Sequence, residues 1–398
     1  MTISPVLIII FAALGGAAIS SWVFQRNNGD MLLGAGIGAL GGALGSLVFM
    51  IPLDFCTFEV ERETADYVFG VILVIAGMMI VLSPLNWFIS RRLSGQSFVS
   101  TQTTRGTFKG VIAPALLLIP TIGILLTFLY YPSLETLRLS TLLARLGARR
   151  EVFVCVDNFT RLVTDQTYAD IVIRTLWISA AIVVIGLALS LLIATMAYLP
   201  VKGASIYRTL LIWPYAISPA VAGIIFLLMF NPTGGIINHF TQQITGTALG
   251  WTNDPKVAPW TVILASVWKS MGYNILFYIA GLQNVPQDLL EAGAIDGANV
   301  RQRFLHIVIP QLAPITFFLI VTNSTYAFFE TYATIDYLTP GGGPLQSTTT
   351  MMYNVVQLGI DNNDLGKAAA RSIILFVMVI GFTIIQFRSG GRRAGAGT

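Results

Sequence analysis

Nine apolar stretches alternate with polar ones along the chain, at approximately residues 4–24, 31–55, 67–89, 110–132, 171–198, 207–231, 258–282, 310–329 and 371–388. A helix crosses a bilayer core about 30 Å thick with about 20 mostly apolar residues, and each stretch meets that requirement. The pattern predicts an all-α, polytopic membrane protein with nine transmembrane helices. The first stretch lacks a basic flank and meets the second within a few residues, so it reads as a retained helix rather than a cleaved signal.

Between the third and fourth stretches lies "SRRLSGQSFVSTQTTRGTFK", residues 90–109, which is polar, basic and rich in Ser and Thr. It reads as a cytoplasmic linker and as the main domain boundary. On that division, residues 1–89 form a three-helix membrane segment whose role the sequence does not reveal. Residues 110–390 form the larger domain, and 391–398 a flexible tail. The second stretch contains "GAGIGALGGALG", with Gly34, Gly38 and Gly42 at four-residue spacing, as are Gly41 and Gly45. Glycines so spaced let helix backbones approach closely, and the simpler expectation is packing inside this chain.

Composition supports the membrane reading. The chain is 55% hydrophobic and 11% charged, against roughly 25% charged in ordinary soluble domains. Its net charge of +4 arises in loops and bears on orientation. No basic patch interleaves with aromatics, so nucleic acid is not an expected partner. Cys56 and Cys155 are the only cysteines, and with His239 and His306 they are too few for a Cys-rich or zinc centre. No metal site and no catalytic cluster is expected.

Nine crossings with the C-terminus inside place twelve basic residues on the inner side: Arg26, Arg91, Arg92, Arg105, Lys109, Lys202, Arg208, Arg301, Arg303, Arg388, Arg392 and Arg393. Eight fall outside: Arg62, Arg138, Arg145, Arg149, Arg150, Arg161, Lys256 and Lys367. Cytoplasmic loops favour Lys and Arg, so the N-terminus is expected outside and the C-terminus inside. Five of the outer eight lie in residues 133–169, against the trend, in a loop long enough to escape it. Both cysteines fall on the outer face, and whether they are bonded is left open.

Within the apolar pattern "LEAGAIDGANVRQRFLHIVIP", residues 290–310, is an anomaly. Pro286 suits a helix start. Leu290, Gly293, Ala294 and Gly297 then share a face at helical spacing, and Gly297 ends the helix. Asn299 with Gln302 predicts a capping box for a second helix. Along that helix Val300, Phe304, Ile307 and Val308 form an apolar face, with Arg301 and Arg303 pointing elsewhere. Pro310 marks the entry to the eighth stretch. The product is a helix, a glycine turn and a helix at the inner membrane surface, shaped to dock into something cytoplasmic.

Glu291-Ala292-Gly293, then Gly297, Ile307, Ile309 and Pro310, resembles the EAA signature of ABC importer permeases. Gly293 replaces the second Ala of that signature and Ile309 a Leu. "LIWPYAISPAVAGIIFLLMFNPTGG" (211–235), "VWKSMGYNILFYIAGLQNVPQDLLEA" (267–292), "FFLIVTNSTYAFFETYATIDYLTPGGGP" (317–344) and "VDNF" (156–159) extend the resemblance over about residues 105–390. They resemble the carbohydrate-uptake permeases, in particular the A-type subunits of sn-glycerol-3-phosphate importers. The resemblance implies a type I permease core of six helices, so the three N-terminal ones are extra. It also implies a second permease subunit, an ABC ATPase dimer, an extracytoplasmic solute-binding protein and a setting in lipid in the bacterial inner membrane. No cofactor is expected on this chain, because ATP and Mg belong to the ATPase. Carried over by position, Glu291, Ala292, Gly293, Asp296, Gly297, Ile307 and Pro310 couple the chain to that ATPase, with Glu291 the polar contact and Gly297 the turn.

Polar groups deep in a bilayer cost about 2.5 to 3.5 kcal/mol and usually face a cavity or a partner helix. Lys269 lies some twelve residues into the seventh stretch, near the midplane at 1.5 Å per residue. Tyr273 follows one turn later, with Asn274 beside it, and Asn323, Tyr326 and Glu330 share a stripe of the eighth stretch. These six are the substrate-path candidates, with helix-to-helix adhesion as their alternative role. A basic residue after the Trp also occurs in related sugar permeases, so Lys269 does not identify a phosphate. "GIDNNDLGKAA" (359–369) has the wrong spacing for a phosphate loop, "NFT" (158–160) is a chance sequon, and His306 is expected on a solvated helix face. An embedded enzyme or ion-coupled carrier is the rival function. It would need a catalytic cluster or carboxylates in mid-span, and Asp and Glu are absent there.

Overall fold

The computed structural model describes residues 5–26, 35–43, 112–148, 152–154, 156–198, 203–247 and 249–394. The third apolar stretch, the linker 90–109, Cys56 and Cys155 lie outside the described residues, as does the second stretch apart from 35–43. Two compact units are present: Met1–Ala144 with Ala148–Asn158, and Arg145–Gly147 with Phe159–Thr398.

In the first unit, helix α1 (Pro5–Arg26) packs on α2, residues 35–43. A Cβ on Gly16 would overlap the Gly38 carbonyl oxygen, and one on Gly42 that of Ala12. The glycine spacing therefore serves contact inside the chain. Next come α3 (Ile112–Leu125), a π turn (Leu126–Tyr130) and α4 (Tyr131–Ser140). This helical run continues past residue 132, where the apolar pattern stops, because the π turn loosens the ladder ahead of Pro132. A short hairpin of β1 (Leu142–Leu143) and β2 (Val152–Phe153) closes the unit. The Asn158 amide donates to the Ser140 and Leu142 carbonyls at 2.9 and 3.1 Å, which ties the hairpin to the helix end.

After α5 (Asp157–Thr164), the second unit is built from α6 (Gln166–Tyr198), α7 (Ala204–Ala216), α8 (Pro219–Met229), α9 (Ile236–Thr245) and α10 (Ala258–Gln283). It continues with α11 (Gln287–Ile295), α12 (Val300–Arg303), α13 (Ala313–Phe329), α14 (Thr331–Leu338), α15 (Met351–Val356) and α16 (Leu365–Ala394). Among the described residues four helices are long and apolar enough to cross a membrane: Leu118–Ser140, Gln166–Tyr198, Ala258–Gln283 and Leu365–Arg388. Two bent helix pairs, Ile206–Ala216 with Pro219–Met229 and Val300–Gln311 with Ala313–Phe329, pass the same test together, which makes six crossings if each pair is one span.

The stretch 207–231 is not one straight helix. It turns by 101° between Ala216 and Pro219. Pro219 supplies no N–H to continue the ladder, and the Ser218 hydroxyl accepts the Val221 N–H at 3.3 Å, capping a new helix. Likewise the crossing expected at 310–329 starts at Ala313, after a 63° bend at Leu312, with Pro314 in the first turn of α13. Pro310 precedes the bend rather than making it.

Helix α10 is the centre of the second unit, with Ile275, Tyr278, Ile279 and Leu282 buried against Leu187 and Ala194 of α6 and Leu319 of α13. Lipid tails are as apolar as leucine, so close packing rather than water exclusion holds such helices together. Gly272 lies where α7 crosses α10, and Gly223 where α8 meets the Thr334 carbonyl of α14. Tyr207 and Arg208 donate to the Ala197 carbonyl at distances between 2.9 and 3.1 Å, satisfying an acceptor at the end of α6.

Candidate functional site

The segment 286–311 folds as a helix, a turn and a helix. Pro286 occupies the N-cap of α11, and Asp296 its C-cap. Gly297 has φ of +82°, a conformation that costs L-residues with side chains about 1–2 kcal/mol. It allows the Ala298 N–H to reach the Gly293 carbonyl at 2.9 Å and the Gly297 N–H to reach that of Ala294 at 3.1 Å. This paired closure satisfies the orphan carbonyls at the helix end. Two residues later the capping box forms as the sequence predicts: Asn299 N–H donates to Gln302 at 2.8 Å, and Gln302 N–H to Asn299 at 2.9 Å.

The faces of the two helices differ from the sequence expectation. Leu290 and Gly293 turn inward, and a Cβ on Gly293 would stand 3.0 Å from the Ile307 methyl. Gly293 thus serves the contact between the two helices, not a docking surface. Val300, expected on the apolar face, is 74% exposed. Arg303, expected to point away, is half-buried and donates to the Leu290 carbonyl at 3.3 Å. A π turn over Phe304–Val308 is responsible: its extra residue rotates the preceding face relative to the inward Phe304, Ile307 and Val308. The outward surface is Glu291, Ala292, Asp296, Gly297 and Val300 with Ile295, which is 87% exposed. Pro310 is also exposed, and His306 lies on a solvated face with Nδ1 3.0 Å from the Gln302 carbonyl.

The second cluster centres on Lys269. Its side chain is 8% exposed, and its ammonium stands 3.9 Å from a Glu330 carboxylate oxygen. The Tyr326 ring centroid is 5.0 Å from that ammonium and the Tyr215 centroid 5.3 Å, so two aromatic faces flank the charge. Tyr273 joins through its ring, 5.2 Å from that of Tyr215. Of the six predicted path residues the fold therefore gathers Lys269, Tyr273, Tyr326 and Glu330. It adds Tyr215, which sequence reading missed because only the break after Ala216 turns the end of α7 toward α10. Its signal was the "WPYAISP" run, where two prolines flank a tyrosine in an apolar stretch.

Asn274 and Asn323 face each other instead. Their side-chain amides exchange hydrogen bonds of 3.1 and 2.7 Å, and Asn323 also donates to the Leu319 carbonyl at 2.8 Å. Asn274→Leu is expected to lower stability by about 1–3 kcal/mol, because it orphans a buried amide. Adding Asn323→Leu should recover much of that loss. Thermal unfolding of the two variants in detergent checks the pair; equal destabilisation in the single and double variants would dismiss it.

Lys367 is paired within its own turn. Its ammonium pairs with Asp364 at 3.0 Å, and the Asp364 carboxylate also accepts the Lys367 N–H. Among the described residues no group of three His, Cys, Asp or Glu side chains is placed to hold a metal.

Residues 182–392, more than half of the chain, match the family of binding-protein-dependent transport system inner membrane components. The chain belongs to that family. The permease is 42% identical over 276 residues to the sn-glycerol-3-phosphate transport system permease protein UgpA of Yersinia enterocolitica, a match covering 69% of this chain and 92% of that relative. It is 40% identical over 287 residues to the protein of the same name from Pectobacterium atrosepticum, covering 72% and 96%. A chain of the bacterial alginate ABC transporter, solved in complex with an alginate pentasaccharide-bound periplasmic protein, shares the fold at a TM-score of 0.62 and 19% identity over 71% of this chain and 94% of that one. The permease is a multi-pass inner-membrane transport subunit with the all-α fold expected of it. The rival reading as an embedded enzyme or ion-coupled carrier is set aside by this membership.

Proposed function

We propose that the permease is a pore-forming subunit of an ATP-driven importer of sn-glycerol-3-phosphate or a related sugar or polyol. A second permease completes the pore, a solute-binding protein delivers the substrate outside, and a separate ATPase dimer drives the cycle. The observation that carries the reading is the segment 286–311. It presents Glu291, Asp296 and Ile295 on an outward surface, with a rigid glycine turn behind them and its inner face locked to α10 and α13. Such a surface is a docking element, and the resemblance to the EAA signature names the ATPase as what it docks.

The path runs past Lys269, Tyr273, Tyr326, Glu330 and Tyr215, with Asn274 and Asn323 holding α10 and α13 beside it. In this reading the N-terminus is outside and the C-terminus inside. Arg145 bridges to Asp364 through the backbone, and the Leu146 N–H donates to the Asn363 carbonyl at 2.9 Å, which supports both segments lying on the outer side. The complete complex, reconstituted in proteoliposomes, is expected to take up glycerol phosphate in preference to neutral sugars. Uptake of neutral sugars alone would overturn the substrate.

A further inference from the structure

The Lys269 side chain is buried, and its ammonium carries three N–H donors and makes no hydrogen bond among the described residues. Its carboxylate neighbour stands at 3.9 Å, beyond the 2.7–2.9 Å of a charge-assisted hydrogen bond. The tyrosine faces attract the charge but cannot accept N–H groups as oxygen acceptors do. The two partners are also unequal, since the lysine side chain is 8% exposed and that of Glu330 is 59% exposed. Lysine is fixed between α7 and α13. Glu330 sits at the joint between α13 and α14, and this chain leaves its carboxylate largely uncovered.

From this geometry we infer that Glu330 is an exchangeable counter-ion: the anionic group of a passing solute takes its place on Lys269, and Glu330 returns to release that group. The inference rests on the proposed import of a phosphate ester and specifies how the same site handles its charge. An unpaired buried cation would hold a phosphate too well and stall the cycle. A permanently hydrogen-bonded pair would be neutral and leave it no cation to bind. A loose pair with one partner left uncovered by this chain does neither, and the difference in exposure decides which partner moves. No covalent step is involved.

The test uses the complete complex of both permeases, ATPase and binding protein, with radiolabelled sn-glycerol-3-phosphate and inorganic phosphate as probes. Glu330→Gln removes the competitor at an exposed side chain and keeps its size. It is expected to raise phosphate-ester occupancy of the purified complex about tenfold, on the scale of one partly desolvated ion pair, while maximal uptake falls. Lys269→Met should lose that binding, and Lys269→Met/Glu330→Gln should behave like Lys269→Met, because Glu330 acts only through the lysine. Co-purification of all subunits shows that each variant is folded. Wild-type import of the ester together with unchanged binding in Glu330→Gln would overturn the exchange alone. A wild-type complex that imports only neutral solutes would overturn the substrate reading and the exchange with it.

Discussion

Gly297→Val is expected to cut solute uptake at least about tenfold, within the range of a site-to-site coupling energy, while the complex still assembles and hydrolyses ATP. No atom lies within 4 Å of where a Cβ would stand, so the loss does not come from a clash. It comes from the backbone: at φ of +82° a β-branched side chain is a genuine outlier. The strained turn would release the bonds from Ala298 and Gly297 to the end of α11 and tilt that helix against α12. Glu291→Ala should reach a similar end by another route, since it removes an exposed charge and leaves the turn intact. On the proposed reading both variants bear on docking rather than on the path, so solute binding should change little. Uptake and ATPase rate measured together decide the matter: wild-type uptake in both variants would remove residues 286–311 from the coupling role.

Gly272→Val should have the larger effect on the protein itself. A Cβ there would stand 2.8 Å from the Ile212 carbonyl oxygen and 3.0 Å from its Cα, both backbone atoms that cannot rotate away. Helices α7 and α10 must separate to admit it, and overpacking of this kind costs about 1–3 kcal/mol or more. The same separation would pull Tyr215 away from Lys269, so transport should fall beyond what lost folded yield explains. Gly123→Ala in α3 is the control. Nothing lies within 4 Å of its added carbon, and it should be tolerated. A Gly272→Val protein as stable in detergent as wild type would show that the two helices are not held by that contact.

Much of this is legible in the sequence. Apolar runs of membrane length fixed the all-α class, because a spanning segment must satisfy its own backbone hydrogen bonds and leaves a long uninterrupted signature. The turn at Gly297 and the Asn299 and Gln302 box were legible for a similar reason: both are local, set by residues within one helical turn of each other. The coupling role proposed for that segment comes from its resemblance to the EAA signature.

What local pattern could not determine was which way the second helix faces. An apolar face continued at constant helical pitch would hold Val300 in and Arg303 out, and one π turn reverses the two. The stretch 207–231 looked continuous because hydropathy does not register a capped break between Ala216 and Pro219. Tyr215 consequently stayed hidden until α7 was placed. The six path candidates were equivalent by sequence, each a polar group in an apolar run. Tertiary structure divided them, joining Asn274 to Asn323 as a clasp and leaving Lys269 beneath two tyrosines with a loose carboxylate partner. Periodicity reports what a residue's own helix does. Which group meets a buried charge depends on helices distant in sequence, and that is decided only when they pack.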